Sequence, residues 1–463
     1  MPIQEDRLFP AEAATRKIAR ALYTHVRSLP IISPHGHTQA AWFAKNEPFR
    51  DPASLLVQPD HYIFRMLYSQ GISMEDLEIG VAEMKNPRKV WKIFASNYYL
   101  FRGTPTRMWM DHVFYEVFGL EQRLSAATAD LFFDTIAEKL KTPEFLPRAL
   151  YERFNIEVLS TTDSPLDSLD DIKAIRASGW KGRIVPAFRP DPVVDPEFAG
   201  FSQSILKLGE QTGEDTSTWK GYLNALRKAR LRFKELGCTS TDHGHLTAQT
   251  ADLPATEAAD LFNKVFTGQA GKREQVLFQA QMLTEMAQMS LEDGLVMQIH
   301  PGSVRNHNRK LYLKYGRDVG CDIPHAINYV DALHPLLDRF GNESKLTIIL
   351  FTLDETTYSR ELAPLAGHYP CLRLGPAWWF NDSPEGMMRF RQQVTETAGF
   401  YNTVGFNDDT RAFLSIPARH DVARRIDCAF LARLVAEHRL GEDEAYEVAY
   451  ELAYGLVKKA YKL

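Results

Sequence analysis

The chain has 463 residues, of which 44% are hydrophobic and 24% charged, proportions ordinary for a globular protein. Its 54 Lys and Arg against 59 Asp and Glu give a net charge of −5, without the basic surface that nucleic acids require. It contains no run of about 18 apolar residues for a membrane span, and its four cysteines form no C-x-x-C pair. We therefore expect a reduced, cytoplasmic protein that binds neither nucleic acid nor membrane.

The first predicted elements are an amphipathic helix and a short buried strand. Residues 11–28 carry apolar side chains four positions apart, a spacing typical of a helix. The apolar run 29–32 follows and leads to His35 and His37. Residues two apart on an extended chain point to the same face, so both imidazoles would project together. They form half of a transition-metal site, or else two polar residues in a loop.

The next stretch, residues 40–150, has mostly helical patterns and many aromatic residues, and we interpret it as a helical insertion. It contains His61 beside Tyr62, which alone could be a surface residue next to a core residue. From residue 155, short β-branched or apolar runs alternate with helical segments, and these runs are 156–163, 183–190, 237–243, 295–300, 346–352, 371–376 and 403–409.

Together with the first strand, these seven runs make eight strands alternating with helices. This count predicts an α/β fold, a parallel (β/α)₈ TIM-type barrel, divided into residues 1–39, the insertion 40–150, and the remainder 151–463. The competing doubly wound sheet would carry a G-x-G-x-x-G after an early strand, and the sequence has none there.

Polar residues cluster where these strands end, which is where barrels of this kind carry their working side chains. Asp163 and Asp242 are among them and could instead be N-caps of the following helices. Asp409 follows the eighth strand, which lies beside the first in a closed barrel, so its carboxylate can reach a metal held by His35 and His37. Two imidazoles and a carboxylate suit Zn²⁺ or another first-row divalent ion. Asp409 could instead cap a helix or pair with Arg411.

Four further strand-end residues have alternative interpretations. Arg189 ends an apolar strand and needs an anion, either a ligand carboxylate or a buried structural salt bridge. His300 could be a metal ligand, a substrate hydrogen-bond donor or a satisfied core histidine. Trp378 and Trp379 could line a sugar-binding floor or simply pack in the core.

With these residues collected, the chain resembles the uronate isomerases, the aldose–ketose isomerase branch of the amidohydrolase superfamily. The resemblance covers nearly the whole length and rests on residues 30–37, 60–62, 161–165, 186–191, 242–244, 298–302, 305–306, 378–382 and 409–415. The family usually has an acidic residue where this chain has Ser33, and Asn-Pro where this chain has Leu353-Asp354-Glu355.

The resemblance implies interconversion of D-glucuronate with D-fructuronate and of D-galacturonate with D-tagaturonate through a cis-enediol. It implies a bound metal ion and a hexuronate substrate. From the donor set we expect one divalent ion, Zn²⁺, and association into a homo-oligomer stays open. The resemblance implies His35, His37 and Asp409 on the metal, with His61, Tyr62, Arg189 and Arg411 around the substrate. From the chemistry of these groups we expect Asp409, Tyr62 and Arg411 to act in catalysis. We expect His61, Arg189, His300 and Trp379 to bind the substrate.

Two alternatives remain open from the sequence. One is a mononuclear metal-dependent hydrolase or deaminase of the same superfamily. A binuclear hydrolase would carry a lysine after the fourth strand and a histidine after the sixth, and the sequence has neither. The other is a non-catalytic barrel that binds sugar acids, which would have lost the residues named above.

Overall fold

Nine strands occur in the computed structural model, which describes residues 3–463. They are β1 (Ile31–Ser33), β2 (Ile156–Asp163), β3 (Arg183–Phe188), β4 (Ser240–His243), β5 (Val296–Ile299), β6 (Ser303–Val304), β7 (Ile323–Pro324), β8 (Ile348–Leu350) and β9 (Leu372–Leu374). Seven of them form one parallel sheet in the order β1-β2-β3-β4-β5-β8-β9, and β6 pairs antiparallel with β7. The predicted parallel barrel is confirmed.

The eighth barrel segment is less regular than its sequence predicts. Only Thr403 forms a bridge, to Leu374 of β9, so a continuous strand over residues 403–409 is wrong. Gly405 (φ +74°) and Asp409 (φ +36°) adopt left-handed conformations that interrupt an extended ladder. The segment nevertheless reaches the first strand's end, because the amide of His37 donates to the carbonyl of Thr410 at 3.0 Å.

The helices fill the connections between strands. They are α1 (Ala13–Val26), α2 (Ala40–Lys45), α3 (Pro52–Leu56), α4 (His61–Ser69), α5 (Pro87–Ser96), α6 (Pro105–His112), α7 (Ala129–Leu140), α8 (Pro147–Arg153), α9 (Asp170–Ala177), α10 (Asp191–Val194), α11 (Phe201–Thr212), α12 (Trp219–Glu235), α13 (Ala255–Phe266), α14 (Lys272–Asp293), α15 (Arg309–Tyr315), α16 (Tyr329–Phe340), α17 (Ala363–Ala366), α18 (Pro384–Ala398), α19 (Ile416–Ala436), α20 (Glu442–Tyr450) and α21 (Leu456–Tyr461). Helices α2 to α8 lie between β1 and β2, whereas the three-segment division of the chain stays a prediction. Within residues 3–463, none of the helices combines the length and apolar character that a membrane span needs.

The barrel interior is an apolar layer beneath a polar one. Its buried cluster takes one side chain from most strands, including Ile32, Val158, Val185, Val296 and Ile349, and adds Val457 and Tyr461 of α21. Side chains alternate along a strand, so Gln298 and His300 share the face of Val296 and point into the barrel. Polar groups therefore gather above the apolar layer, at the carboxyl ends of the strands.

Candidate active site

A cavity of about 960 Å³ opens at the carboxyl ends of the barrel strands. All nine predicted site residues line it: His35, His37, His61, Tyr62, Arg189, His300, Trp379, Asp409 and Arg411. The fold thus brings together side chains from the first, third, fifth, seventh and eighth strand ends and from the helices inserted after β1. These residues therefore share one cavity, and their individual roles stay predictions.

His35, His37 and Asp409 form a group that can hold a metal ion. Oδ1 of Asp409 lies 3.5 Å from Nε2 of His35 and 3.1 Å from Nε2 of His37. Ligand atoms in a tetrahedral site with bonds of about 2.1 Å lie about 3.4 Å apart, so the spacing fits. Oδ1 of Asp409 is also buried without a hydrogen-bond partner among the described residues, and such an atom suits an ion. The structure therefore contains a fitting metal site.

Asp409 is held in place by its backbone and by Trp378. Its φ of +36° is uncommon for a residue other than glycine and is the kind of strain found at functional sites. The indole N–H of Trp378 donates to Oδ2 of Asp409. Burial would raise the pKa of Asp409, but His35 and His37 hold that pKa well below its usual value. Asp409 is therefore a carboxylate at neutral pH.

Asp242 links the metal group to the neighbouring strands. It is fully buried, and its Oδ1 lies 2.7 Å from Nδ1 of His300. Its Oδ2 lies 4.0 Å from Nε2 of His35 and accepts from Nη1 of Arg189 at 2.9 Å. Neither Asp242 nor Asp163 caps a helix, so the alternative interpretation of these residues as N-caps is wrong. Asp163 accepts from the hydroxyl of Thr161, two residues back on its own strand.

The guanidinium of Arg189 is already paired with two carboxylates of the protein. Nε donates to Asp191 at 2.8 Å, and Nη1 donates to Asp242 at 2.9 Å. The salt-bridge interpretation of Arg189 is thus correct, while Nη2 has no hydrogen bond among the described residues. Gly244 makes room for that atom, because a Cβ at this position would lie 2.2 Å from Nη2.

His300 is stacked between aromatic rings. Its ring centroid lies 4.7 Å from that of His35 and 3.9 Å from that of Phe351. Nδ1 is bonded to Asp242, whereas Nε2 is buried without a partner among the described residues. His300 is therefore half satisfied, and its Nε2 is the atom available to a ligand.

His61 and Tyr62 begin helix α4, where Asp60 caps the helix by accepting from the amide of Tyr62 at 2.9 Å. The hydroxyl of Tyr62 donates to the carbonyl of Trp379 at 3.0 Å. Burial, helped by the charge of Arg411, lowers the pKa of His61 to about 3. Burial likewise raises the pKa of Tyr62. At neutral pH, both side chains are therefore uncharged.

The connection from β6 through α15 to β7 forms one wall of the cavity, and sequence reasoning had identified only residues 305–306 of it. Asp318 lies 3.3 Å from Arg411, and Asp322 accepts from Arg305 at 2.9 Å. The guanidinium of Arg305 lies 4.9 Å from the ring centroid of Trp379. These strands have only two residues each, so no periodic pattern distinguished them from loop.

The comparisons with known proteins cover the whole chain. A family model described as glucuronate isomerase matches residues 9–461. A uronate isomerase from Phenylobacterium zucineum is 64% identical over 464 residues, covering 100% of this chain and 97% of the relative. The crystal structure of glucuronate isomerase from Caulobacter crescentus has a TM-score of 0.98 at 60% identity, covering 100% of this chain and 97% of that one. That of uronate isomerase from Thermotoga maritima has a TM-score of 0.93 at 29% identity, covering 100% of both chains.

Proposed function

The chain belongs to the glucuronate isomerase family, and from this premise we propose that it interconverts D-glucuronate with D-fructuronate and D-galacturonate with D-tagaturonate. The observation that carries the proposal is the convergence of His35, His37 and Asp409 with Tyr62 and Arg411 in one cavity of a chain matched along its length. Family membership favours this reaction over the hydrolase and the non-catalytic barrel.

Asp409 and Tyr62 carry the proton transfers in the mechanism we propose. Isomerisation moves one proton from C2 to C1 and another from the C2 oxygen to the C1 oxygen, so no atom is gained or lost. The Asp409 carboxylate takes the C2 proton and returns it to C1 on the same face of a cis-enediol. The Tyr62 hydroxyl, uncharged because burial raises its pKa, relays the oxygen proton.

The basic and aromatic residues of the cavity hold the substrate and its developing charge. Arg411 stabilises the enediolate oxygen, and it must exchange Asp318 for the substrate to do so. Nη2 of Arg189 is the donor left for the sugar carboxylate, since Nε and Nη1 are paired. His61 binds a hydroxyl, because an imidazole with a pKa of about 3 carries no charge at neutral pH. His300 offers Nε2 to another hydroxyl, and Trp379 borders the site.

The donor set of His35, His37 and Asp409 suits Zn²⁺ or another first-row divalent ion, and we propose Zn²⁺. A divalent ion bound there supplies a Lewis acid that polarises the substrate oxygens. The cavity residues hold the polarised substrate oxygen beside Asp409, so that the C2 proton lies within reach of the Asp409 carboxylate.

We also infer a cytoplasmic location, which is supported by four cysteines that are all free: Cys238, Cys321, Cys371 and Cys428. The homo-oligomer stays a prediction. Fractionation of cells and sedimentation of the purified protein are the measurements that check these two statements.

The test of the function is isomerisation in D₂O. Purified, Zn²⁺-loaded protein is incubated with D-glucuronate or D-galacturonate, and the sugars are followed by NMR. We expect the corresponding ketouronate, with deuterium at the exchanged carbon. A folded, metal-loaded protein that yields neither ketouronate nor deuterium label would exclude the proposed function.

Asp409→Asn and Tyr62→Phe test the assigned roles separately from the reaction. Both variants should lose at least about 100-fold in kcat, the usual range for a removed acid–base group. Full activity in Asp409→Asn would overturn the mechanism while leaving the reaction itself intact.

A further inference from the structure

Arg419 is a buried cation beside the cavity that the proposed mechanism does not use. It lies in the first turn of α19, is 1% exposed, and contributes to the cavity wall. Nη1 donates to Oδ2 of Asp382 at 2.5 Å, and Nε donates to the hydroxyl of Ser415 at 3.1 Å. A buried charge with several partners is costly to assemble, so its place beside the cavity requires an explanation.

Asp382, the partner of Arg419, lies at the end of the turn that carries Trp379. Residues Trp379–Asn381 form a 3₁₀ helix, and the amide of Asp382 donates to the Trp379 carbonyl at 3.1 Å. The same carbonyl accepts from the hydroxyl of Tyr62 at 3.0 Å. Trp379 has a φ of +50°, a strained value for an aromatic residue. Such strain persists only where the surroundings hold it, and the ion pair of Arg419 with Asp382 holds this turn.

Arg419 also fixes the ring of Tyr62 through Trp109. The guanidinium lies 3.6 Å from the ring centroid of Trp109 and 5.7 Å from that of Tyr62. Trp109 contacts Tyr62 edge to face, with centroids 5.8 Å apart. One guanidinium therefore supports both the ring of Tyr62 and the backbone acceptor of its hydroxyl.

We propose that Arg419 is a positioning residue for the isomerisation, acting through Asp382 and Trp109 to hold the Tyr62 hydroxyl where the oxygen proton is relayed. This inference rests on the proposed function. It assigns to Arg419 no contact with the substrate. Its loss should lower kcat more than it changes KM, because misplacing a reacting group by about 1 Å reduces the rate by about 100-fold.

The chain offers a matched control pair, one residue of which lies on α19, the helix that carries Arg419. Arg391 of α18 donates to Asp427 of α19 through Nε at 2.6 Å and Nη2 at 3.1 Å. Both residues are buried, and neither lines the cavity. The two pairs share chemistry and burial, so a purely structural role for Arg419 predicts equal effects on activity.

The experiment compares Arg419→Met, Arg419→Lys and Asp382→Asn with Arg391→Met and Asp427→Asn, using Zn²⁺-loaded protein and D-glucuronate. Thermal melting and metal content are measured for each variant. We expect Arg419→Met to lose about 100-fold in kcat with KM changed less than about threefold. Arg419→Lys should recover only about tenfold of that loss, because the ammonium keeps the charge opposite Asp382 but cannot stack on Trp109 as the planar guanidinium does. The two control variants should keep kcat within about threefold while losing stability.

Two outcomes overturn the inference with the function intact: kcat within about threefold of wild type in folded, metal-loaded Arg419→Met, or an equal loss of kcat in Arg391→Met. If Arg419→Met does not fold, Asp382→Asn tests the proposed role instead, because it leaves the guanidinium in place. A kcat unchanged in Asp382→Asn then refutes the role, and a loss of about tenfold or more supports it. Wild-type protein without isomerase activity would instead refute the proposed function and, with it, this inference.

Discussion

Trp378 donates its indole N–H to Oδ2 of Asp409, which leaves Oδ1 as the carboxylate atom that faces His35 and His37. The seventh and eighth barrel connections thereby fix the rotation of the one carboxylate in the metal group. Groups that orient ligands in this way affect metal affinity almost as strongly as the ligands do.

Trp378→Phe should therefore weaken metal binding. The phenyl ring keeps most of the packing but cannot donate to Asp409, and we expect metal affinity to fall by about 10- to 100-fold. Competition with a fluorescent chelator measures the change. Trp180→Phe is the control, because the Trp180 indole donates to Glu152, which is not among the residues lining the cavity. Equal affinities in wild type and Trp378→Phe would contradict the role of this hydrogen bond.

Removing the metal should also destabilise the fold. Oδ1 of Asp409 is buried with no hydrogen-bond partner among the described residues, so an ion at this site would bind the folded state selectively. An ion at 100 times its Kd stabilises the folded state by about 2.7 kcal/mol. We expect chelation to lower Tm, and Zn²⁺ to restore it. His37→Gln should show no such response, and a wild-type Tm unaffected by chelation would argue against a metal at this site.

Asp163 should make stability depend on pH. Burial raises its pKa to about 6, although the Thr161 hydroxyl lowers it. The unfolded carboxyl has a pKa of about 3.9. The folded state therefore binds the proton more tightly, and the free energy of unfolding falls as pH rises from about 4 to about 6. Asp163→Asn should thus be more stable than wild type by roughly 1–2 kcal/mol at pH 7 but not at pH 4. Urea unfolding at the two pH values measures this, and equal stabilities at pH 7 would contradict it.

Asp318→Asn should improve substrate binding. Asp318 pairs with Arg411 at 3.3 Å, and both side chains are more than one-third exposed, so the pair contributes about 0–1 kcal/mol to stability. Its carboxylate competes with the anionic substrate for the guanidinium, and we expect KM to fall about two- to fivefold. Steady-state kinetics measure KM. Glu355→Gln, which removes a charge that pairs with Arg389 outside the cavity, is the control. An unchanged or raised KM in Asp318→Asn would show that no competition takes place.

The barrel and its metal group were predictable because they depend on local patterns. Apolar runs predicted the parallel strands, and His35 and His37 followed the first of them. Asp409 could be added because a closed barrel places the eighth segment beside the first. The irregular backbone of that eighth segment could not be predicted. Aspartate also adopts ordinary conformations, so the left-handed backbone at Asp409 leaves no periodic signal.

The partners of the cavity residues were less predictable. The anion of Arg189 was expected. Asp191 is a local partner two residues along the chain, whereas the pairing with Asp242 depends on how β3 and β4 lie side by side. Arg419 and Asp382 lie 37 residues apart, on different connections, and no short motif joins them. Contacts of this kind depend on tertiary packing, and a single sequence does not record packing.

The hydrogen bond from His37 to Thr410 has a consequence for synthesis of the chain. Its two ends are separated by roughly 370 residues, so at about 5–20 residues per second the first strand is made about 20–75 s before its closing partner. During that interval, β1 has an unpaired edge, and both imidazoles lack their carboxylate. The nascent chain therefore exposes the beginning of its own active centre, and protection by a chaperone is most useful at this stage. His35 and His37 thus wait for most of the chain's synthesis before they reach their functional environment.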